Sequence, residues 1–493
     1  MTSAGSGPLD ELPFDHAVRL GARNRLVIFI LLISVFVMIL NETIMGVALP
    51  TLTRDLGITP SAAQWLTAAF LLTMAVIIPV TGFLLQRFNT RPLFIAAMGL
   101  FSLGTVIAAV APGFEILLLA RIVQASGTAI MFPLLITTVM NLVPAATRGQ
   151  MMGNISIVIS VAPAIGPTIS GLVLSVLDWR FMFILVLPIA LAALTVGARL
   201  ITNVTEPRPT RIDVPSVILS ALGFGGVVFG LSNLGTATTA LESWLPLAVG
   251  IVALVVFVHR QLRLQRRDLA LLDLRTFTTR NFTFSIVMFA ISMVTMFGTI
   301  VLLPFYLVSV LHVPVITVGL LLLPGGVIMG VLAPVVGRVY DRVGPTVLLI
   351  VGSSIVSADL WAMTMLDENN SFLWVLAAHG ALSVGLALLF TPLFTASLGS
   401  LEPELYSHGS AIVGTVQQLA GAAGTALFVT VMSAQVATLS ALGASNESAT
   451  ASGIRIAFTY GAVISLFAIP AAFFVRKEKT SPAVDVAESV VAH

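Results

Sequence analysis

The sequence predicts an all-α integral membrane protein with 14 transmembrane helices. Three observations predict it: the composition, a series of long apolar runs, and the distribution of lysine and arginine. Of the 493 residues, 57% are hydrophobic and 9% are charged, whereas soluble domains carry about 25% charged residues. A water-soluble protein is therefore excluded. The net charge of only +2 also gives no basic surface for a nucleic acid.

The apolar runs are long enough for helices to cross a bilayer, which takes roughly 20 residues each. The predicted spans are residues 26–48, 62–85, 92–111, 115–141, 151–175, 181–203, 213–233, 244–262, 281–308, 316–337, 346–365, 372–397, 409–435 and 455–476. The first run is too long for the apolar region of a signal peptide, and further spans follow it. We therefore expect it to be a retained helix.

The spans divide into two blocks of six with two spans between them. The predicted segments are an N-terminal tail (1–25), a six-helix bundle (26–203), two inserted helices (213–262), a linker (263–280), a second six-helix bundle (281–476) and a C-terminal tail (477–493).

A short internal repeat supports this division. The sequence PVTG at 79–82, followed by Arg87, recurs as PVVG at 334–337, followed by Arg342, at an offset of 255 residues. Duplicated halves are typical of transporters whose substrate site lies between the halves near the middle of the membrane.

The basic residues predict the orientation, because cytoplasmic loops carry an excess of lysine and arginine. With the N-terminus inside, 20 of the 24 basic residues are cytoplasmic, and only Arg54, Arg180 and Arg455 fall in outer loops. An even number of spans returns the C-terminus to the same side. The composition, rich in alanine, glycine and arginine, suggests a bacterial protein. We therefore predict a multi-pass protein of the bacterial plasma membrane with both termini cytoplasmic.

Ionisable side chains within a membrane are costly and mark candidate functional positions. Glu42 lies in the first span and Arg121 in the fourth, each about six residues from the outer end, or about 9 Å deep. At equal depth they can pair across a cavity. Burial favours the protonated carboxyl group and a nearby guanidinium favours the carboxylate, so the pair could load and release a proton. A static ion pair is the structural alternative.

Other polar residues within the spans are weaker candidates. Asp359 and His379 could titrate, but an aspartate near the end of a span can reach water, and a lone histidine is more often held by hydrogen bonds. The residues that could line a substrate cavity are Asn41, Gln124, His379, Gln417 and Gln418.

At these residues the sequence resembles the major facilitator superfamily, and in particular its fourteen-span drug:proton antiporter branch. The family's first-span motif LDxTIVNVALP reads LNETIMGVALP at residues 40–50. The acidic residue stands one position later, as in the lincomycin-resistance-type exporters, which turns its side chain by about 100° around the helix. The RxxQG motif of the fourth span reads RIVQA from Arg121, and in the family this arginine takes part in proton coupling.

One further motif and the number of spans extend the resemblance to nearly the whole chain. The antiporter motif GxxxGPxxGG matches Gly166, Pro167 and Gly171. The inserted pair of spans is the feature that distinguishes the fourteen-span branch from the twelve-span branches. The resemblance thus implies the major facilitator fold, with two six-helix bundles plus two inserted helices.

The family's cytoplasmic motif GxLADRxGR, whose aspartate helps to hold the cytoplasmic side closed, occurs twice. The predicted gate residues are Gly82, Arg87, Gly337, Asp341 and Arg342. The first copy has Gln86 in place of the aspartate. Because charge-assisted hydrogen bonds are roughly twice as strong as neutral ones, we expect an asymmetric gate in which Asp341 matters and Gln86 matters little. The alternative is that both loops only obey the charge rule.

The predicted function is proton-coupled export of hydrophobic or amphipathic compounds by alternating access. The proton gradient drives it, without a cofactor or metal. Export of an endogenous lipid or metabolite stays open as an alternative. A membrane enzyme or receptor is more remote, because the sequence contains no HExxH, GxSxG or P-loop motif. The expected partners are the bilayer, protons and a small substrate, with no nucleic acid and no required oligomer.

Overall fold

The computed structural model describes residues 21–203, 207, 212–234, 240–368 and 370–477. Its long helices are α1 (Ala22–Asp55), α2 (Pro60–Arg87), α3 (Thr90–Ala109), α4 (Phe114–Leu142), α5 (Arg148–Val176), α6 (Arg180–Leu200), α7 (Val214–Asn233), α8 (Ala240–Leu264), α9 (Arg280–Ser309), α10 (Val315–Val343), α11 (Pro345–Met363), α12 (Phe372–Gly399), α13 (Tyr406–Ala441) and α14 (Asn446–Leu466). A short α15 (Ala468–Ala472) follows. The expectations for residues 1–20 and 478–493 lie outside the described residues.

Fourteen helical segments of the described chain are long and apolar enough to cross a membrane, which confirms the predicted number. Successive long helices run in alternating directions, so α1 begins and α15 ends on the same face of the bundle. The main chain around Val475 and Arg476 is held there by Thr346 and Asn281. We call this the terminal face, and the opposite one the far face.

Several helices extend beyond the apolar runs that predicted them. Helix α1 continues to Asp55 rather than residue 48, and α14 begins at Asn446 rather than 455. Arg455, expected in an outer loop, therefore lies within α14, with its side chain exposed. The apolar run reflects the thickness of the bilayer, whereas a helix continues past it until a cap or turn ends the hydrogen-bonded ladder.

The inserted helices α7 and α8 pack closely on each other. A Cβ at Gly226 would stand 2.9 Å from the Cα of Gly250, so the absence of side chains permits this approach. Helix α7 also contacts α2 and α13. These two belong to different predicted bundles, so the inserted pair lies beside the line along which the bundles meet.

The bundles approach each other mainly through α5 with α10 and α2 with α13. Gly153 packs directly on the main chain of Ala333, and the hydroxyl groups of Thr391 and Ser156 are 3.0 Å apart. Among the described residues, the hydrogen bonds between the bundles cluster towards the terminal face. That face is therefore closed in this structure.

Candidate functional site: a central cleft and two contacts at the terminal face

A cleft lies between the bundles, near the middle of the helices, with about 660 Å³ of empty space including the part open to solvent. Helices α1, α2, α4, α5, α9 and α13 form its wall. Its lining residues are Val35, Met38, Ile39, Glu42, Leu71, Met74, Ile78, Thr128, Ala129, Met131, Phe132, Ile159, Phe297, Gly414, Gln417 and Gln418. The wall is thus mostly apolar, with flexible methionines that can adapt to ligands of different shapes.

Glu42 is the only ionisable residue among the described residues that line this cleft. Its half-buried side chain makes no hydrogen bond or ion pair with the described part of the chain. The charge that acts on it through space is that of Arg121. An unpaired carboxyl group on an apolar wall can bind either a proton or the positive charge of a ligand.

Arg121 is fully buried behind the cleft and is held in place by its neighbours. Its Nε donates to the Leu66 carbonyl at 3.3 Å and its Nη1 to Oε1 of Gln124 at 3.1 Å. The guanidinium carbon lies 4.1 Å from the centre of the Phe70 ring, a distance typical of a cation–π contact. Nη2 has no hydrogen-bond partner. The arginine is therefore a fixed charge near Glu42 rather than its direct ion-pair partner.

The glycine motif of α5 packs against α1 beside Glu42. A Cβ at Gly166 would overlap the hydroxyl group of Thr43, and Ser170 donates to the Ile44 carbonyl at 3.0 Å. The small side chains of α5 thus fix the part of α1 that carries the carboxyl group. Gly171, by contrast, is exposed and has open space around its Cα.

At the terminal face, Asp341 on α10 binds the first turn of α5. The main-chain N–H groups of Gly149 and Gln150 donate to its two carboxylate oxygens, each at 2.8 Å. A carboxylate in this position satisfies amides that the helix cannot pair itself and interacts favourably with the helix dipole. A Cβ at Gly337, one turn earlier, would overlap the carbonyl oxygen of Gly149, so a larger side chain would push α10 away from α5.

The first copy of the motif makes a different contact, with α13. The side-chain nitrogen of Gln86 lies 2.8 Å from Nε2 of His408 and 3.5 Å from the Glu404 carbonyl. Gly82, one turn before Gln86, has His408 Nδ1 within 3.1 Å of the Cβ position. The first copy, which lacks the aspartate, therefore also joins the two bundles.

The sequence profile of the Major Facilitator Superfamily matches residues 31–425, which is most of the chain. The protein belongs to the Major Facilitator Superfamily. It is a membrane transporter and not an enzyme. This confirms the resemblance drawn from residues 40–50, Arg121 and the glycine motif.

Similar proteins include a transporter of Bacillus subtilis and a resistance protein of Listeria monocytogenes. The chain is 39% identical over 474 residues to the uncharacterised MFS-type transporter YcnB, covering 95% of this chain and 97% of YcnB. It is 39% identical over 457 residues to the lincomycin resistance protein LmrB, covering 91% and 96%. The crystal structure of the human organic anion transporter MFSD10 matches with a TM-score of 0.64 at 13% identity, over 91% of this chain and 99% of that one. The last match supports the fold alone.

Within this MFS transporter, the polar residues expected at the cavity are divided between different places. Gln417 and Gln418 lie on the cleft wall. Gln124 is fully buried between Arg121 and Thr105, to which its Nε2 donates at 2.9 Å. Asn41 is buried and lies outside the cleft lining. Neighbouring positions on a helix point in different directions, so the cleft receives Glu42 and not Asn41.

Two other expected candidates also lie away from the central cleft. His379 faces a small apolar pocket with Leu322, whose carbonyl is 3.3 Å from its Nε2. Asp359 is 6% exposed on α11 and its Oδ2 has no hydrogen-bond partner. The guanidinium groups of Arg87 and Arg342 are exposed, and among the described residues they make no hydrogen bond or ion pair across the terminal face. Among the charged residues of the two motif copies, only Asp341 joins the bundles in the part of the chain that the structure describes.

The sequence reasoning missed two residues of this transporter that join the bundles. The guanidinium of Arg148, at the start of α5, lies 5.5 Å from the ring centre of Tyr406, at the start of α13. His408 follows two residues later and binds Gln86. A signal was available, because both helices begin directly after a short 3₁₀ turn, at Ala145–Thr147 and Pro403–Leu405. The internal repeat could have placed these helix starts at equivalent positions.

Proposed function

We propose that this protein is a proton-coupled exporter of hydrophobic or amphipathic compounds that works by alternating access. The observation that carries the proposal is the cleft, in which one unpaired carboxyl group, Glu42, stands on an otherwise apolar wall. Such a wall suits compounds recognised mainly by shape and apolar contact. A sugar site would need many hydrogen-bonding groups, and this lining offers few.

In the proposed cycle, Glu42 carries the proton. With the cleft open to the outside, Glu42 is protonated and the substrate leaves. With the cleft open to the cytoplasm, the entering substrate displaces the proton, and the fixed positive charge of Arg121 assists because it stabilises the carboxylate. Gln417 and Gln418 supply amide groups that orient the bound compound.

We further propose that the terminal face is cytoplasmic, so that both termini lie inside the plasma membrane of a bacterium. The positive-inside rule supports this orientation. The closed terminal face then makes this structure the conformation in which the cytoplasmic side is shut. The names of the lincomycin resistance relatives support efflux of antibiotics as the physiological role.

Transport by the purified protein in liposomes tests the proposal. A panel of lipophilic antibiotics, lipids and polar metabolites is presented with and without an imposed pH gradient. We expect gradient-dependent movement of the amphipathic compounds, abolished by a proton uncoupler. If only a lipid or a metabolite is transported, the substrate belongs to the alternative class. Transport at the same rate with and without the pH gradient would exclude proton coupling.

A further inference from the structure

The two motif copies face equivalent helix starts, but only the second copy has a carboxylate at the contact position, Asp341, where the first has Gln86. Asp341 binds the main-chain amides of Gly149 and Gln150, the second and third residues of α5. The equivalent positions in α13 are Ser407 and His408. Gln86 reaches the His408 ring instead of the amides. The first copy thus keeps the site of the contact and changes its chemistry.

His408 is 4% exposed, and its ring meets Gln86 at Nε2, while its Nδ1 is buried without a hydrogen-bond partner among the described residues. An amide nitrogen can only donate a hydrogen bond, so the Gln86 side chain donates to Nε2, and the ring proton of the neutral histidine lies on Nδ1. That nitrogen and the Leu271 carbonyl lie within 3.1 and 3.4 Å of the Cβ position of Gly82. The groups whose charges act on the ring are Asp273 and Arg275.

Leu271, Asp273 and Arg275 belong to the α8–α9 linker, residues 265–279, which follows the inserted helices. Arg275 binds both carboxylate oxygens of Asp273, with Nε to Oδ2 at 2.8 Å, and this contact raises the pKa of Arg275. Leu271, Leu272, Asp273 and Thr276 are each at most 3% exposed. The linker is therefore packed into the terminal face and is not a loose connection.

A second network ties the linker to the inserted helices. Oε1 of Gln261, at the end of α8, accepts from the Leu271 amide at 2.7 Å, and its Nε2 donates to Ser216 at 2.7 Å. Asp213, before α7, accepts from the guanidinium of Arg260 at 2.7 and 2.8 Å. This ion pair, with help from Ser216, holds the pKa of Asp213 at about 2. The inserted helices thus position the linker against His408.

We propose that His408 and the α8–α9 linker complete an uncharged latch on Gln86, which holds α2 of one bundle against α13 of the other at the terminal face. The latch replaces the carboxylate contact that Asp341 makes in the other copy, and it makes the inserted helices part of the gate. His408 is a positioning residue in this scheme. The inference rests on the proposed function in one respect: alternating access requires that the bundles separate at this face.

The test uses a cysteine reporter, because the chain contains no cysteine. Ser156 is 5% exposed and lies between the bundles beneath the terminal face, so Ser156→Cys places a thiol at that buried position. Its reaction with an impermeant thiol reagent is measured in purified protein. In the Ser156→Cys background, His408→Leu keeps much of the volume but removes the hydrogen bond, whereas His408→Gln keeps a group that Gln86 can bind.

We expect His408→Leu to raise the labelling rate about three- to tenfold, the effect of losing one neutral hydrogen bond on a two-state equilibrium. His408→Gln should label at close to the parent rate. Gln86→Leu should match His408→Leu, and the double variant should be no faster than either, because both break one interaction. Gln261→Leu, which frees the Leu271 amide, should also raise the rate.

A rescue variant separates a latch from simple packing. Gln86→Asp, added to His408→Leu, puts a carboxylate at the start of α13 as Asp341 does for α5, and should restore slow labelling. Failure of this rescue, or equal labelling of the Leu and Gln variants of His408, would overturn the latch.

Asp341→Asn serves as the positive control. If it raises labelling and His408→Leu does not, the latch proposal is wrong while alternating access stands. If neither raises labelling, the terminal face does not open, and both proposals fail.

Discussion

Glu42 shows how one position on a helix decides what a side chain can do. Asn41 precedes it and is buried outside the cleft, and Thr43 follows it and contacts α5, while Glu42 alone faces the cleft. Since successive residues differ by about 100° around a helix, the one-residue displacement of the acidic residue from the family motif changes its surroundings. In this chain the carboxyl group faces the cleft, and Arg121 acts on it from behind the wall.

Replacing Glu42 by glutamine preserves size and hydrogen bonding but removes the titrating group. We expect Glu42→Gln to reduce proton-driven export to the level of empty liposomes while substrate binding and counterflow continue. Export driven by a pH gradient in liposomes is the measurement. Glu368→Gln, at an exposed site in a far-face loop, is the control and should transport normally. Full pH-driven export by Glu42→Gln would show that another group, such as Asp359, carries the proton.

Two helix contacts, α1 with α5 and α10 with α5, show how small or charged residues set the position of an element. Gly166 allows α5 to touch α1 at Thr43, and Asp341 attaches α10 to the first turn of α5. Helix α5 is therefore fixed at one end by the gate and in its second half by the segment that carries Glu42. This arrangement provides a physical connection between the terminal face and the cleft.

Gly166→Ala should destabilise the protein by about 1–3 kcal/mol, the usual cost of overfilling a close contact. The added methyl group meets the hydroxyl group and Cβ of Thr43, so α1 must move. Gly171→Ala, with open space at its Cβ position, should change stability by less than about 0.5 kcal/mol. Thermal unfolding of the two detergent-purified variants gives the comparison. A smaller loss for Gly166→Ala than for Gly171→Ala would contradict the packing role.

Asp341→Asn replaces one carboxylate oxygen by an N–H group that faces a main-chain N–H. We expect the closed terminal face to be weakened by about 1.5–3 kcal/mol, the range for hydrogen bonds to a charged group. Export should fall at unchanged expression. Arg342→Gln changes an exposed side chain that makes no contact between the bundles among the described residues; it is the matched control and should remain near wild type. Equal, mild effects of both would indicate that the motif serves only to set topology.

At the scale of the whole molecule, the two bundles and the inserted pair meet at the terminal face. The bundles are joined there by two equivalent contacts, one charged and one neutral, and the α8–α9 linker packs beside the neutral one. The cleft lies deeper, between the same helices. Any movement that opens the cleft to the terminal face must break both contacts.

The orientation of this assembly can be tested by cysteine labelling in intact cells. Glu368→Cys, in an exposed loop of the far face, should react with an impermeant thiol reagent added outside. Thr278→Cys, exposed on the linker at the terminal face, should react only after the cells are opened. The reversed pattern would place the terminal face outside, and the proposed direction of transport would then be wrong.

The sequence by itself determined the membrane architecture and the family. Hydropathy gave the number of spans because a bilayer of fixed thickness requires a fixed length of apolar helix, and the motifs around Glu42, Arg121 and Gly166 identified the superfamily.

Only the tertiary structure decided which polar side chains share a cavity. Gln124 is buried against Arg121 rather than lining the cleft, and His379 lies in a separate pocket. His408, which belongs to no recognised motif, is the hydrogen-bond partner of Gln86. Hydropathy and motifs are properties of one segment. The direction of a side chain, and the residue it meets several hundred positions away, depend on how the helices rotate and pack against each other.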